Sequence, residues 1–139
     1  MKVERNIEAY IPQRAPFVFI DTLVEVDGEH AVTQFTVPTD CLLVADEQLS
    51  AAGLMEHAAQ TCAARAGYAQ RESGQEVKIG YIGAIKQLQT TRLPHVGETL
   101  TTEARVIQEV LNISLIECTT RIGNEQIATT TLKLATIDN

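Results

Sequence analysis

The sequence predicts an α+β domain in which one long helix packs on one face of a strongly curved antiparallel sheet. Three observations carry this. Residues 50–68 form the only long helical pattern, rich in Ala with Leu and Met and free of Pro. The segments on both sides are rich in β-branched and aromatic residues, or alternate apolar with charged positions as strands with one wet face do. The chain of 139 residues fits one domain, residues 1–139, and one helix with its wrapping sheet uses nearly all of it.

Taken in order, residues 6–13 have mixed polarity and end around Pro12, so at most one or two helical turns fit there. Residues 17–26, FVFIDTLVEV, read as a strand; Asp27-Gly28 supplies a turn into a second strand at 30–37. A loop over 38–48 leads to the helix. Beyond Gly74 everything reads as strand. Val77, Ile79, Tyr81 and Ile85 alternate with Lys78 and Lys86, and Leu100, Ala104, Val106 and Val110 alternate with Glu103, Arg105 and Glu109. Residues 113–122 and 127–137, joined through Gly123-Asn124, complete the set, and the threonine-rich composition beyond residue 98 suits half-exposed strands.

Hydrophobic residues at 45% and charged ones at 21% are ordinary globular proportions, which excludes a disordered, collagen-like or disulfide-scaffold chain. No apolar run approaches the roughly 20 residues of a spanning helix. No apolar signal region follows Met1-Lys2-Val3-Glu4-Arg5, so a cytoplasmic protein away from the membrane is expected. Lys plus Arg number 11 against 18 Asp plus Glu, a net charge of −7, which disfavours nucleic acid and anionic lipid as partners. One stretch, 77–97, is locally basic, with Lys78, Lys86 and Arg92 and no acidic residue. Cys41, Cys62 and Cys118 are odd in number and lack C-x-x-C spacing, so they read as reduced thiols. Neither clustered metal ligands nor a Gly-rich phosphate loop is present, and no metal or organic cofactor is expected.

Glu56 is the only acidic residue between Glu47 and Arg65. Its neighbours on the same helical face are Ala52, Gly53, Ala59, Gln60 and Ala63, small enough for a sheet to approach closely, and Gln60 at i+4 is placed to hold the carboxyl. A carboxyl on such a face suits general acid or base work. It equally suits a position at the edge of the stripe, reaching solvent or a base across a subunit boundary. His57 points about 100° away from Glu56 and cannot face the same substrate from within the helix.

Residues 11–21, Ile-Pro-Gln-Arg-Ala-Pro-Phe-Val-Phe-Ile-Asp, resemble the start of the β-hydroxyacyl-acyl carrier protein dehydratases of the hot-dog fold, which open Leu-Pro-His-Arg-x-Pro-Phe-Leu-Leu-Val-Asp. Leu54-Met55-Glu56-His57-Ala58-Ala59-Gln60 is similar to that family's Ile-Ile-Glu-Ala-Leu-Ala-Gln, and Ile85-Lys86 with Leu93-Pro94-His95-Val96-Gly97-Glu98 is similar to its Phe-Lys and Val-x-Pro-Gly-Asp. The resemblance implies a hot-dog fold with Glu56 catalytic and with Gln60, Gly53, Arg14 and Gln13 binding or supporting the substrate. It departs at the chemistry. The family's histidine loop, Gly-His-Phe-Pro-Gly, is replaced by TDCLLVADEQLSAAG, the histidine position falls at Leu42, and the motif's other histidine is Gln13. Dehydration needs a base for the proton beside the thioester carbonyl, an acid for the departing hydroxyl, and N–H donors for the enolate oxygen. Glu56 and the backbone of residues 50–53 remain for two of these roles. His30 on a strand and His95 in a turn have no reason to approach Glu56, and Cys41 reads as a buried thiol rather than a replacement base.

The function expected from the resemblance is a 3-hydroxyacyl thioester dehydratase-like protein of fatty-acid or polyketide-type synthesis, acting on or binding acyl groups on acyl carrier protein or coenzyme A. The alternatives are a non-catalytic acyl-binding or partner subunit of a dehydratase, and a hot-dog thioesterase. An apolar plug from Leu42 or Leu43 opposite Glu56 would favour the partner subunit. Lys78, Lys86 and Arg92 are candidates for docking an acidic carrier. A homodimer with sheets joined edge to edge, or a trimer of such dimers, is also implied.

Overall fold

The computed structural model describes residues 6–74 and 80–136. A short 3-10 turn, Ile7–Ala9, precedes strands β1 (Thr22–Val26) and β2 (His30–Thr36). A small ribbon follows, made of β3 (Val44–Ala45) and β4 (Gln48–Leu49), then helix α1 (Ala51–Glu72). The chain continues through β5 (Gly80–Ala84), β6 (Gln89–Thr90), β7 (Thr99–Val110), β8 (Ile113–Ile122) and β9 (Glu125–Thr136). The main sheet runs β1-β2-β7-β8-β9-β5, with β6 also on β9, and every pairing is antiparallel. Helix α1 therefore carries the chain from one side of the sheet to its far edge. No described helix is long and apolar enough to cross a membrane.

The element order follows the sequence pattern, and each departure has a structural cause. The expected strand over 17–26 begins only at Thr22, because the backbone of Phe17 and Phe19 is hydrogen-bonded by helix side chains instead of a neighbouring strand. The loop at 38–48 contains the β3–β4 ribbon, and the expected helix at 50–68 extends to Glu72. Its start is set by Ser50, extended in backbone, whose Oγ accepts the Gly53 N–H at 3.2 Å as an N-cap. The turn at Asp27 is held by its Oδ1, which accepts the N–H groups of Glu29 and His30. On β7 the alternation breaks at a bulge between Val106 and Gln108, leaving Val110 exposed rather than facing the core. Val77, Lys78, Ile79 and Ile137, expected in strands, lie outside the described residues.

Helix and sheet meet through small side chains. Ala58 and Cys62 of α1 pack against Ala104, Ile116, Cys118 and Leu132, all buried. Leu54 and Leu49 join Phe19, Phe35, Leu100 and Ile127 at the helix start, and Ala64 joins Ile7, Ile11, Ile20 and Leu23 towards its end. The buried Gly67 lets the segment before β1 lie directly on the helix: a Cβ there would overlap the Tyr10 carbonyl. Gly67→Ala gains about 1 kcal/mol of helix propensity, but the obstacle is backbone and cannot swing aside. The expected net effect is a loss of about 1–3 kcal/mol, read as a lower urea midpoint at unchanged m-value; a raised midpoint would show that the close approach is not required.

Candidate active site

Glu56 is half-buried on the first turns of α1, and its Oε1 accepts from Gln60 Nε2 at 2.7 Å. The i, i+4 spacing places the two side chains together, as the sequence suggests. Gln60 is fully buried and uses both ends of its amide. Nε2 also donates to the Phe17 carbonyl at 2.7 Å, and Oε1 accepts the Phe19 N–H at 2.7 Å. The amide orientation is thus dictated by a backbone donor on one side and a backbone acceptor on the other. One glutamine joins the Pro-Phe segment to the helix carboxyl, so two of the three stretches that carry the family resemblance meet at one side chain. Oε2 of Glu56 makes no hydrogen bond among the described residues.

His57 turns to the core and is completely buried. A carbonyl can only accept, so Nδ1 carries the proton and donates to Phe19 O at 2.7 Å. In the neutral ring Nε2 then accepts from Thr102 Oγ1 at 2.8 Å, and Thr102 in turn meets Thr120 Oγ1 at 2.7 Å. Beside this chain Thr61 Oγ1 donates to the His57 carbonyl at 3.0 Å, which leaves Thr33 to donate to Thr61 at 2.7 Å. Phe35 stacks on the imidazole with ring centroids 5.7 Å apart. Burial away from water pushes the His57 pKa down to about 4, against a smaller upward pull from the Phe19 carbonyl. This buried threonine network has no local sequence signature, because its members come from β2, β7, β8 and α1.

The remaining candidates are placed as follows. Gly53 is buried under Leu49 and Leu43, where a Cβ would overlap the Leu49 side chain. Its N–H is taken by Ser50, and the Ser50 N–H by the Leu43 carbonyl at 2.8 Å. Of the expected donors at 50–53, only the N–H groups of Ala51 and Ala52 stay open among the described residues. Arg14 is exposed and folds back on its own segment, donating to Ile11 O at 2.8 Å and Gln13 O at 2.7 Å, with Glu8 at 3.6 Å. Gln13 is half-buried, and its buried Oε1 lacks a partner. Neither reaches Glu56. In the 38–48 loop, Leu42 is exposed, while Cys41 and Leu43 are half-buried against the cluster at the helix start. His30 is held by Asp27 Oδ2 at 2.8 Å and His95 sits in an exposed turn, so no histidine of the chain hydrogen-bonds Glu56.

The basic stretch changes character in three dimensions. Arg92 makes a two-pronged pair with Glu98, at 2.9 and 3.0 Å, and a second contact with Glu125 at 3.1 Å. These hydrogen bonds raise the Arg92 pKa and, with the His95 N–H, hold Glu98 down to about 2. The Arg92 charge is therefore compensated by two carboxylates outside the 77–97 window, Glu98 beside it and Glu125 at the start of β9. Lys86 is exposed, and Lys78 lies outside the described residues. Cys62 and Cys118, far apart in sequence, face each other across the helix–sheet boundary with sulfurs 3.4 Å apart, and burial with this contact pushes the Cys62 thiol pKa up.

The His57 shift gives a pH signature. The unfolded chain has a histidine of ordinary pKa near 6.5, the folded one about 4, so between these values the unfolded state binds more protons. Stability is full above pH 6.5 and falls by roughly 3 kcal/mol as pH drops towards 4. Denaturation of His57→Gln should start from a lower stability but vary much less across that window; an unchanged pH slope would remove His57 as its source.

Among the described residues, surface cavities of about 380, 340 and 190 Å³ do not have Glu56 in their walls. The model of the ApeP-like family, described as ApeP dehydratase, matches residues 5–139. Among solved structures the chain is similar to the dehydratase heterocomplex ApeI:P from Xenorhabdus doucetiae, with a TM-score of 0.88 and 17% identity, covering 96% of this chain and 91% of that one. It is also similar to Cj0977, a sigma28-regulated virulence protein from Campylobacter jejuni, with a TM-score of 0.72 and 15% identity over 94% of this chain and 85% of that one. The protein smu.793 from Streptococcus mutans, bound to acetyl CoA, matches with a TM-score of 0.64 and 12% identity over 84% of this chain and 88% of that one. No curated protein sequence matches significantly. At these identities the solved structures speak for the fold, a helix wrapped by a curved antiparallel sheet, and the family model speaks for descent: the chain belongs to the ApeP-like dehydratase family and has the hot-dog fold.

Proposed function

We propose that the protein is a dehydratase subunit for 3-hydroxyacyl thioesters, in which Glu56 is the acid or base and the missing base comes from the subunit it pairs with. The observation that carries this is the state of Glu56. Its Oε1 is fixed by Gln60, its Oε2 is open, and no histidine of the same chain reaches it. In the protonated form, Glu56 gives its proton to the departing 3-hydroxyl, while a base takes the proton from the carbon beside the thioester carbonyl; water leaves and the enoyl thioester forms. The open N–H groups of Ala51 and Ala52, at the positive end of α1, favour the negative charge developing on the carbonyl oxygen.

Pairing with a second subunit is supported by the far edge of the sheet. Among the described residues strand β5 is bonded only to β9, and the segment Gly80–Ala84 carries no Lys, Pro or bulge, the usual protections of an edge, while Tyr81 is 68% exposed. A copy of this chain would add a sheet but no histidine loop, whether as a dimer or a trimer of dimers. A related hot-dog subunit that retains the histidine would complete the site, and the similar ApeI:P structure is named as a heterocomplex. The packing of Leu43 over the helix start at Gly53 favours a second reading, in which this chain binds the acyl group and its partner performs all the chemistry.

Two outcomes test these readings. Mixed with a histidine-bearing hot-dog partner and a 3-hydroxyacyl carrier thioester, the protein should produce enoyl absorbance that drops roughly 100-fold or more in Glu56→Gln. An unchanged rate leaves only the acyl-binding role, and release of free thiol without enoyl product would mark a thioesterase. Carrier docking, if it uses the basic stretch, rests on Lys86 with Lys78, because Arg92 is already paired. Carrier affinity should then fall with added salt and in Lys86→Glu, and equal affinity in both proteins removes that surface.

A further inference from the structure

A second charged group is buried on the other side of the same helix. Arg65 lies about two and a half turns beyond Glu56, roughly 14 Å along the axis and on the opposite face. It is only 6% exposed. Its Nη1 donates to the Gly28 carbonyl at 3.0 Å, its Nε is buried with no partner, and Nη2 makes no hydrogen bond. Among the described residues no carboxylate pairs with it. A guanidinium withdrawn from water without a counter-charge is costly, and one backbone carbonyl does not neutralise it.

The same arginine forms part of the wall of the 380 Å³ cavity, which opens between the end of α1, the β1–β2 turn at Gly28 and the β7–β8 turn at Leu111 and Asn112. That volume is in the range of small-ligand sites. Ser73 lies in the wall from the helix side. The one carboxylate in the wall, Glu109, accepts from Ser114 Oγ at 3.0 Å and does not pair with Arg65.

We propose that this cavity binds a small oxyanion, a carboxylate or a phosphate, whose oxygens fill the open position at Arg65 Nη2. The planar guanidinium fork matches both groups, and the bound charge would supply what the fold leaves out. The site is independent of Glu56 and its reading.

Thermal unfolding in sodium phosphate and in sodium acetate, each against sodium chloride at matched ionic strength, tests it and distinguishes the two sources. The expected result is a saturable rise in Tm with one of the two anions. The rise disappears in Arg65→Gln and persists in part in Arg65→Lys, which keeps the charge but not the fork. Glu109→Gln, at an exposed residue, should shift saturation to lower anion concentration by removing a like charge from the wall. If Arg65→Gln does not fold, line broadening of phosphate or acetate in NMR titrations of the native protein and Glu109→Gln gives the same comparison. Tm responses equal to those in chloride, the same saturable rise in Arg65→Gln, or identical titrations of native protein and Glu109→Gln would overturn the proposal.

Discussion

The segment before β1 is held by hydrogen bonds from two helix side chains, and the site depends on them. Gln60 and His57 together satisfy the carbonyl of Phe17 and both backbone groups of Phe19. Buried backbone groups must find partners, and here the partners are supplied by a helix, so this segment needs no strand beside it. With its backbone fixed, Phe19 stacks on Phe35 at 5.5 Å, and Phe35 stacks on His57. The amide that holds Phe17 and Phe19 also holds Glu56. The position of the carboxyl is thus coupled to the packing of the N-terminal segment, and a change at one is felt at the other.

The same dense interior explains why the two adjacent residues Glu56 and His57 have opposite fates. Helix geometry turns them about 100° apart. One faces the half-open side, where an oxygen remains available. The other meets the sheet, where small residues bring α1 close and its polar partners are the Phe19 carbonyl and Thr102, the latter backed by Thr120. A neutral histidine, donating at one nitrogen and accepting at the other, satisfies both partners without burying a charge. Its chemistry is spent on holding helix to sheet.

Opposite faces of α1 therefore present different chemistry: a carboxyl poised at one end, and an uncompensated guanidinium towards the other. Arg14, Arg92 and Arg105 each lie within 4 Å of a carboxylate. Arg92 ties the turn before β7 to the β8–β9 turn through Glu98 and Glu125, in a geometry that favours the ionised forms. Against that pattern the isolation of Arg65 stands out.

What the sequence determined by itself is what depends on neighbours a few residues apart. The order of strands and helix follows from side-chain periodicity, the Ser50 cap from its hydroxyl, and the Glu56–Gln60 contact from helical spacing. Tertiary structure alone decided the rest, because the partners are distant in the chain. The strand expected from Phe17 starts later since its backbone bonds run to residues about forty positions away. His57 became structural, Arg92 was neutralised by Glu125, and Cys62 met Cys118, each through an element that local pattern cannot bring into register. Arg65 shows the limit most clearly: a helical arginine reads as surface until the fold buries it without a counter-ion.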